Sequence, residues 1–262
     1  APGTYRMQII TPINNGVKFV DKTVSAGFFM NDMKDRYFLE RYLPSNLEFD
    51  QYAIELSVSI EGTKKLHTLF TNGKFTVNSK NQFKVKYPKF YNSSSLYFHL
   101  TPKSKYNVKK ANYKSVDGRK IPLIIYSKSK LLSSLVMSKV KRTLKELERD
   151  YGPWPHRQMI LYSNGKLRGG MEYAGAAISG WFAIGHELQH AYFARAVMPV
   201  NGNAGWIDEG IASWRDYLHG SKKNLKFMSS GLAGNSPHIR ITSKSSYEKG
   251  RAFMSHINYV LK

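Results

Sequence analysis

Short runs in which apolar and polar residues alternate make up the first part of the chain. They cover residues 5–10, 17–24, 52–60, 83–87 and 96–100. Alternation with a period of two is typical of strands with one buried face. Turn-forming segments separate these runs, namely Asn14-Asn15-Gly16, Asn72-Gly73 and Asp117-Gly118. The pattern predicts an antiparallel β module over residues 1–118.

The pattern changes after residue 118. Residues 121–126 form a continuous apolar run, which is typical of a buried strand. A helix is predicted over residues 128–150, because apolar residues recur there at three- and four-residue spacing: Leu131, Leu132, Leu135, Val136, Val140, Leu144 and Leu147. A short strand is predicted at residues 159–162, an edge strand or a turn at residues 169–173, and helices over residues 181–198 and from about Asp208. The predicted fold is therefore α+β, with a second domain over residues 119–262.

Composition limits the class of protein further. The chain has 262 residues, of which 42% are hydrophobic, so it can bury a core. It contains no cysteine, which excludes disulfides, thiolate metal sites and cysteine nucleophiles. No apolar run reaches the length of about 18 residues that crosses a bilayer. Together with the start at Ala1-Pro2-Gly3, the high charge favours a secreted or cell-envelope protein.

The formal net charge of +22 first suggests a polyanionic partner. One hypothesis is therefore a basic protein that binds nucleic acid or an anionic envelope polymer, with a non-catalytic zinc ion. Basic stretches such as residues 103–120 support it, but they carry no recognisable nucleic-acid fold signature, so a solvated charged face is the simpler interpretation. Residues 171–214 differ, because Arg195 stands there against four carboxylates and gives a net charge of −3.

This acidic segment contains the strongest chemical signal, the HExxH sequence of residues 186–190. Two histidines four residues apart on a helix lie on one face, so His186 and His190 can bind one Zn²⁺ ion, while Glu187 can reach a water molecule beside it. A catalytic zinc needs three protein ligands and an open position. Glu209, which follows His190 after eighteen intervening residues, is the candidate third ligand; the alternative is a solvated glutamate at a helix start.

Three segments together resemble the gluzincin aminopeptidases, the family of alanyl aminopeptidase and leukotriene A4 hydrolase. The first is HExxH followed after eighteen residues by glutamate in a W-x-(N/D)-E-G context, here residues 206–210. The others are the GGMEY of residues 169–173, similar to the family's GxMEN, and the YEKG of residues 247–250. The resemblance covers about residues 120–262 and implies a thermolysin-like zinc peptidase domain.

The resemblance also implies residue roles. His186, His190 and Glu209 would hold one zinc ion, and Glu187 would be the general base. Gly169 and Gly170 would line the substrate cleft, Glu172 would bind the free α-amino group of the substrate, and Tyr247 would stabilise the tetrahedral intermediate. Alternatives exist, since Glu172 could be an ordinary edge-strand glutamate and Tyr247 is one of 17 tyrosines. Asp208 and Ser213 could orient a zinc histidine or cap a helix.

This sequence departs from the family pattern in two ways. Thirteen residues separate Glu172 from His186, about half the family's usual interval, so the connecting elements should be trimmed. A minimal form is expected, without the helical domain that roofs the family's cleft. An unroofed cleft would accept longer substrates, so both an aminopeptidase and an endopeptidase remain open, with peptides or proteins as substrates.

Overall fold

A computed structural model describes residues 17–27, 51, 53–92, 95–198, 205–225 and 244–262. The strand predicted at residues 5–10 and the turn at residues 14–16 lie outside these ranges. The strands are β1 (Val17–Val20), β2 (Thr23–Gly27), β3 (Glu55–Ser59), β4 (His67–Thr71), β5 (Lys74–Ser79), β6 (Gln82–Lys86), β7 (Phe98–Pro102), β8 (Asn107–Lys114), β9 (Lys120–Ser127), β10 (Met159–Ser163), β11 (Gly170–Tyr173) and β12 (Ala176–Ser179). The helices are α1 (Lys130–Tyr151), α2 (Ile184–Phe193), α3 (Gly205–Asp216) and α4 (Lys244–Val260).

Two antiparallel sheets form the N-terminal part, in the strand orders β1-β2-β7-β4 and β3-β6-β5. Their apolar faces share one core, which includes Leu69, Phe83, Val85, Tyr87 and Leu100. The turn predicted at Asn72-Gly73 joins β4 to β5. Gly73 is required there, because an added Cβ atom would lie 2.6 Å from Val85 Cγ1.

The single strand predicted over residues 17–24 is wrong, because this segment is the β1–β2 hairpin. Asp21 and Lys22 form its turn with φ angles of +47° and +57°. Two central residues with positive φ match the twist of paired strands. The alternation of apolar and polar residues runs through the turn without a glycine, so the sequence pattern did not reveal it.

The C-terminal part is built on a mixed five-stranded sheet in the order β11-β12-β10-β9-β8. Strands β9, β10 and β12 are parallel, while β8 and β11 are antiparallel edges. One face of β9 packs Ile121, Leu123 and Ile125 into the core beneath α1 and α2. The other face packs Ile124 and Tyr126 toward the N-terminal sheets. The apolar run at residues 121–126 is thus a strand, as predicted. One of its faces is buried throughout, whereas the other passes from exposed Pro122 to buried Tyr126.

The predicted boundary near residue 118 falls in the turn of the β8–β9 hairpin, whose strands pair from Asn107↔Ser127 to Lys114↔Lys120. Strand β8 therefore belongs to the sheet of the C-terminal part. Its exposed lysines Lys109, Lys110 and Lys114 lie on a sheet edge, where positive charge discourages pairing with other chains. None of the helices in the described ranges is long and apolar enough to span a membrane.

Helix α1 matches the helix predicted over residues 128–150. The Ser129 side chain caps its N-terminus by accepting a hydrogen bond from the Leu132 amide, and Gly152 ends it with a φ of +88°. The predicted apolar face is too wide, however. Leu131 and Leu135 are 70% and 49% exposed, since they lie on the helix face that points away from the sheet.

Glu148, near the end of α1, is a buried carboxylate that joins three parts of the C-terminal domain. It accepts hydrogen bonds from the hydroxyls of Tyr113 and Ser115 and from the backbone amides of Val116 and Trp154. These bonds fix the end of the helix to the β8–β9 turn. The helix in turn packs against α2, the helix that contains the HExxH sequence.

Candidate metal centre and cleft

Helix α2 is shorter than the helix predicted over residues 181–198. Residues 180–183 form a turn before it, and after Phe193 the amides of Ala194 and Arg195 both donate to the carbonyl of His190. The chain therefore leaves the helix directly after its last turn. His186 and His190 stand one turn apart with their ring centroids 4.8 Å from each other.

Helix α3 begins at Gly205, earlier than the predicted start near Asp208, and packs against α2. Glu209 consequently lies in its second turn, facing both histidines. The Oε2 atom of Glu209 is 2.9 Å from His186 Nε2 and 3.4 Å from His190 Nε2. The structure thus brings together the three predicted metal ligands.

This donor set fits a zinc ion. Two bonds of about 2.0–2.1 Å at a tetrahedral angle place ligand atoms about 3.4 Å apart. The nitrogen and oxygen atoms of His186, His190 and Glu209 all lie within 4.8 Å of one another. Two imidazoles and one carboxylate are also the ligand set of many catalytic zinc sites.

Carboxylates lie behind both histidine rings, and one of them is hydrogen-bonded to His186. Asp216 Oδ2 lies 2.8 Å from His186 Nδ1, and Asp208 Oδ2 lies 3.4 Å from His190 Nδ1. Such partners fix the tautomer and direction of a metal-binding imidazole. Asp208 was one of two candidates for this position in the sequence, whereas Asp216 was missed. Asp216 lies seven residues after Glu209, so the two side chains lie on one face of α3. This spacing could have identified Asp216 from the sequence.

The general-base candidate, Glu187, is buried beside the edge strand β11. A Cβ atom on Gly170 would lie 2.4 Å from Glu187 Oε1 and 2.5 Å from the Ile178 carbonyl oxygen. Only glycine therefore lets the strand pass so close to the carboxylate. Gly169, next to it, has a φ of +77° and accepts a hydrogen bond from the Gly180 amide.

Tyr247, at the start of α4, reaches the same site. Its hydroxyl donates to Glu209 Oε1 at 2.7 Å, and its ring stacks against His186 with centroids 6.1 Å apart. A contact between two glycines sets this position. A Cβ atom on Gly250 would lie 2.8 Å from Gly210 Cα, so α3 and α4 cross at close range one turn beyond Tyr247.

Glu172 lies on β11 within reach of the metal centre, but it already has a cationic partner. Arg195 Nη2 donates to Glu172 Oε1 at 2.7 Å, and both side chains are buried. Glu172, His190 and Asp208 also form a second cluster with metal-binding potential. The Arg195 guanidinium already supplies positive charge there, so the first cluster is the candidate metal site.

The electrostatics follow from this packing. Burial opposes the charged form of His186, but hydrogen bonds to Asp216 and Glu209 raise its pKa to about 10. The pKa of His190 is also raised, because the carboxylates of Glu172 and Glu209 outweigh the effect of burial. The same pairing lowers the pKa of Glu209 against burial.

The other two buried carboxylates differ in their protonation. Burial raises the pKa of Glu187 to about 8, with the charge of Glu172 adding to the shift and the two histidines opposing it. Burial also disfavours ionised Glu172, but the charges of Arg195 and His190 lower its pKa overall. Glu187 is thus poised to exchange a proton near neutral pH, whereas Glu172 is held as an anion.

A cleft of about 380 Å³ contains all of these groups. Every predicted site residue lines it: Gly169, Gly170, Glu172, His186, Glu187, His190, Glu209 and Tyr247. Arg195, which the sequence analysis noted only as a charge, lies behind this lining. Its isolation among acidic and apolar residues was the signal for a buried ion pair. The roles of the eight residues remain predictions, but their convergence in one cleft is a property of the fold.

Comparison with known proteins extends the description of the fold. No protein-family model matches this sequence, and no curated protein matches it. Legionella pneumophila aminopeptidase A, solved with aspartic acid, is similar with a TM-score of 0.60 and 15% identity, over 90% of this chain and 31% of that chain. An M1 zinc metallopeptidase mutant from Deinococcus radiodurans, solved with a Tyr-Ser-Ala substrate, is similar with a TM-score of 0.54 and 14% identity, over 76% of this chain and 50% of that chain.

This chain therefore spans half or less of the length of either solved protein. At 14–15% identity the likeness is one of fold. It confirms the predicted α+β class, in which an N-terminal β part precedes the mixed sheet and helices. The chain shares this fold with the two solved proteins over most of its length.

Proposed function

We propose that this protein is a zinc-dependent hydrolase of peptide bonds. The observation that carries the proposal is the convergence of His186, His190 and Glu209 within 4.8 Å of one another, with Glu187 and Tyr247 in the same cleft. The two imidazoles and the carboxylate would hold one zinc ion, which supplies Lewis acidity when bound.

Glu187 would act as general base. Its carboxylate is buried and faces the metal ligands, and burial raises its pKa to about 8. The positive charge of a nearby metal ion would favour the ionised form that accepts a proton from the attacking water. The carboxylic acid formed in that step would then deliver the proton to the leaving amine.

Tyr247 would supply a hydrogen bond to the oxyanion that develops on the substrate carbonyl. Its hydroxyl already reaches Glu209 at 2.7 Å, which places a phenolic donor at the edge of the metal site. A phenol with an ordinary pKa of about 10 donates this bond without ionising at neutral pH.

Two modes of substrate recognition are compatible with this chemistry. In the aminopeptidase mode, which the sequence resemblance implies, Glu172 would bind the substrate's terminal ammonium. In the endopeptidase mode the substrate would lie across the cleft without an anchored end. The ion pair between Arg195 and Glu172 favours the second mode. A neighbouring cavity of about 400 Å³, which shares Phe182 and Asp216 with the cleft, gives further room for a long chain.

The test is hydrolysis of a fluorogenic peptide by the purified chain before and after treatment with a chelator. We expect chelation to abolish hydrolysis and added zinc to restore it. Glu187→Gln should retain zinc but lose turnover, because glutamine keeps the shape of the side chain and cannot accept the proton. Full activity of Glu187→Gln would refute this mechanism.

A further inference from the structure

Arg195 and Glu172 form a buried ion pair at the wall of the cleft. The guanidinium donates from Nη2 to Glu172 Oε1 at 2.7 Å, with the arginine side chain 0% exposed and the glutamate side chain 9% exposed. Glu172 lines the cleft, whereas Arg195 lies behind it. The Glu172 carboxylate therefore faces the cleft, and the Arg195 guanidinium already balances its negative charge.

The position of Arg195 is fixed by the helix that holds the metal ligands. The Arg195 amide donates to the carbonyl of His190 at 3.0 Å, immediately after α2 ends. Glu172 is fixed equally well, because β11 pairs with β12 through Glu172↔Ala177. Glu172 thus lies on a paired strand and Arg195 is tied to the last turn of α2, so substrate binding cannot easily separate them.

The described part of the cleft has no other carboxylate to spare for an ammonium group. Its lining contains four, namely Glu172, Glu187, Glu209 and Asp216. Glu209 faces both histidines, Asp216 bonds to His186, and Glu187 is the proposed base. Glu172 is the remaining candidate, and it is the one that Arg195 occupies.

The charges around Glu172 determine whether this wall of the cleft binds a terminal ammonium or an internal peptide group. A terminal ammonium that approached Glu172 would also face the Arg195 guanidinium and the positive metal centre, and it would lose its hydration. Because the Arg195–Glu172 pair carries no net charge, it attracts the substrate ammonium only weakly. An internal peptide N–H carries no net charge, so it can donate to the Glu172 carboxylate without this repulsion.

We infer that Arg195 determines the substrate class: its pairing with Glu172 removes selection for a free N-terminus, so the cleft accepts internal peptide bonds. The inference rests on the proposed peptide-hydrolysing function and names its substrates as polypeptides with blocked or internal residues at this position. Arg195 acts through Glu172 and is a specificity-determining residue that does not touch the reacting atoms.

The experiment compares one fluorogenic peptide in two forms, with a free N-terminus and with an acetylated one. In the wild type, kcat/KM for the two forms should agree within about threefold, equivalent to less than one kcal/mol. Glu172→Gln should not increase the preference for the free form, because it leaves the Arg195 cation without its carboxylate partner. A wild-type preference for the free form of about tenfold or more, abolished by Glu172→Gln, would overturn the inference.

Arg195→Met provides the complementary test, because it removes the cation and keeps an unbranched side chain. Uncovering Glu172 should raise the preference for the free form to about tenfold or more, mainly through KM. Adding Glu172→Gln to this variant should return the ratio to the wild-type value. Arg119→Met is the matched control, since Arg119 pairs with Asp117 in the β8–β9 turn, outside the lining of both cavities, and its ratio should not change. An unchanged ratio in folded Arg195→Met would contradict the inference, and the wild-type comparison decides the question if that variant does not fold.

Measurements of peptide binding test this inference separately from the proposed hydrolytic activity. The dissociation constants of both peptides for Glu187→Gln, measured by calorimetry, do not depend on turnover. Equal binding of the two forms without turnover by the wild type would refute the hydrolase proposal alone. Preferential binding of the free form would refute the role of Arg195, whatever the activity.

Discussion

Replacing Gly250 with alanine tests whether the crossing of α3 and α4 holds Tyr247 in place. The added methyl carbon would lie 2.8 Å from Gly210 Cα and 3.0 Å from the Trp206 carbonyl oxygen. Carbon atoms that are not bonded rest at about 3.5–4.0 Å, so the two helices must separate by roughly 1 Å. Tyr247 lies one turn earlier on α4 and should move with it.

The expected loss follows from this displacement. A shift of roughly 1 Å stretches the hydrogen bond from Tyr247 to Glu209, now 2.7 Å, beyond the range of a hydrogen bond. If Tyr247 is the oxyanion donor, kcat should fall by about 10²–10³-fold. Overpacking costs about 1–3 kcal/mol of stability, and the better helix propensity of alanine offsets about 1 kcal/mol of it. The protein should therefore remain folded.

The assay is steady-state kinetics of Gly250→Ala, Tyr247→Phe and the double variant, with zinc content measured in each. If Gly250 acts through the tyrosine, the double variant should be no slower than Tyr247→Phe alone. Gly220→Ala is a matched control, because its methyl group would meet the nearest atom at an ordinary 3.6 Å. Wild-type kcat in Gly250→Ala, or losses that multiply in the double variant, would refute the reasoning.

Three further predictions concern the metal site and the core. Asp216→Asn should weaken zinc binding by about 10–100-fold, because the 2.8 Å partner of His186 loses its charge, and competition with a chelating dye measures this. Because the pKa values of His186 and His190 are raised and a metal-binding imidazole is neutral, zinc binding should release protons and strengthen as pH rises. Calorimetry in buffers of different ionisation enthalpy tests this, and zinc binding without proton release would contradict it. Glu148→Ala should destabilise the fold by about 3 kcal/mol or more, because it leaves four donors without their acceptor, and urea unfolding should show Glu146→Ala within about 1 kcal/mol of wild type.

Local patterns in the sequence were enough to predict much of the fold. The apolar run at residues 121–126 forms β9, which is buried along one face and, toward Tyr126, along the other as well. The helix over Lys130–Tyr151 was predictable from its spacing and from Gly152 after it. Leu131 and Leu135 show where this reasoning fails, since periodicity identifies an apolar face but not the elements that cover it.

The part of the candidate site that could be predicted consists of residues whose contact follows from their spacing along one helix. His186 and His190 share a face of α2 because they are four residues apart. The partner of Glu172 was not predictable in this way, because Arg195 reaches it between a helix end and an edge strand. The same holds for Gly210 and Gly250, whose contact depends on how two helices cross. The candidate ligands could therefore be predicted from the sequence, whereas the groups that position them depend on long-range packing.

The central claim is that His186, His190 and Glu209 hold a zinc ion on which peptide hydrolysis depends. The most direct measurement is digestion of a peptide library by wild type and by Glu187→Gln, with cleavage read by mass spectrometry and zinc by elemental analysis. We expect one zinc ion per chain in both proteins and cleavage by the wild type alone. Cleavage by Glu187→Gln, or cleavage by wild-type protein that chelation has stripped of zinc, would contradict the account.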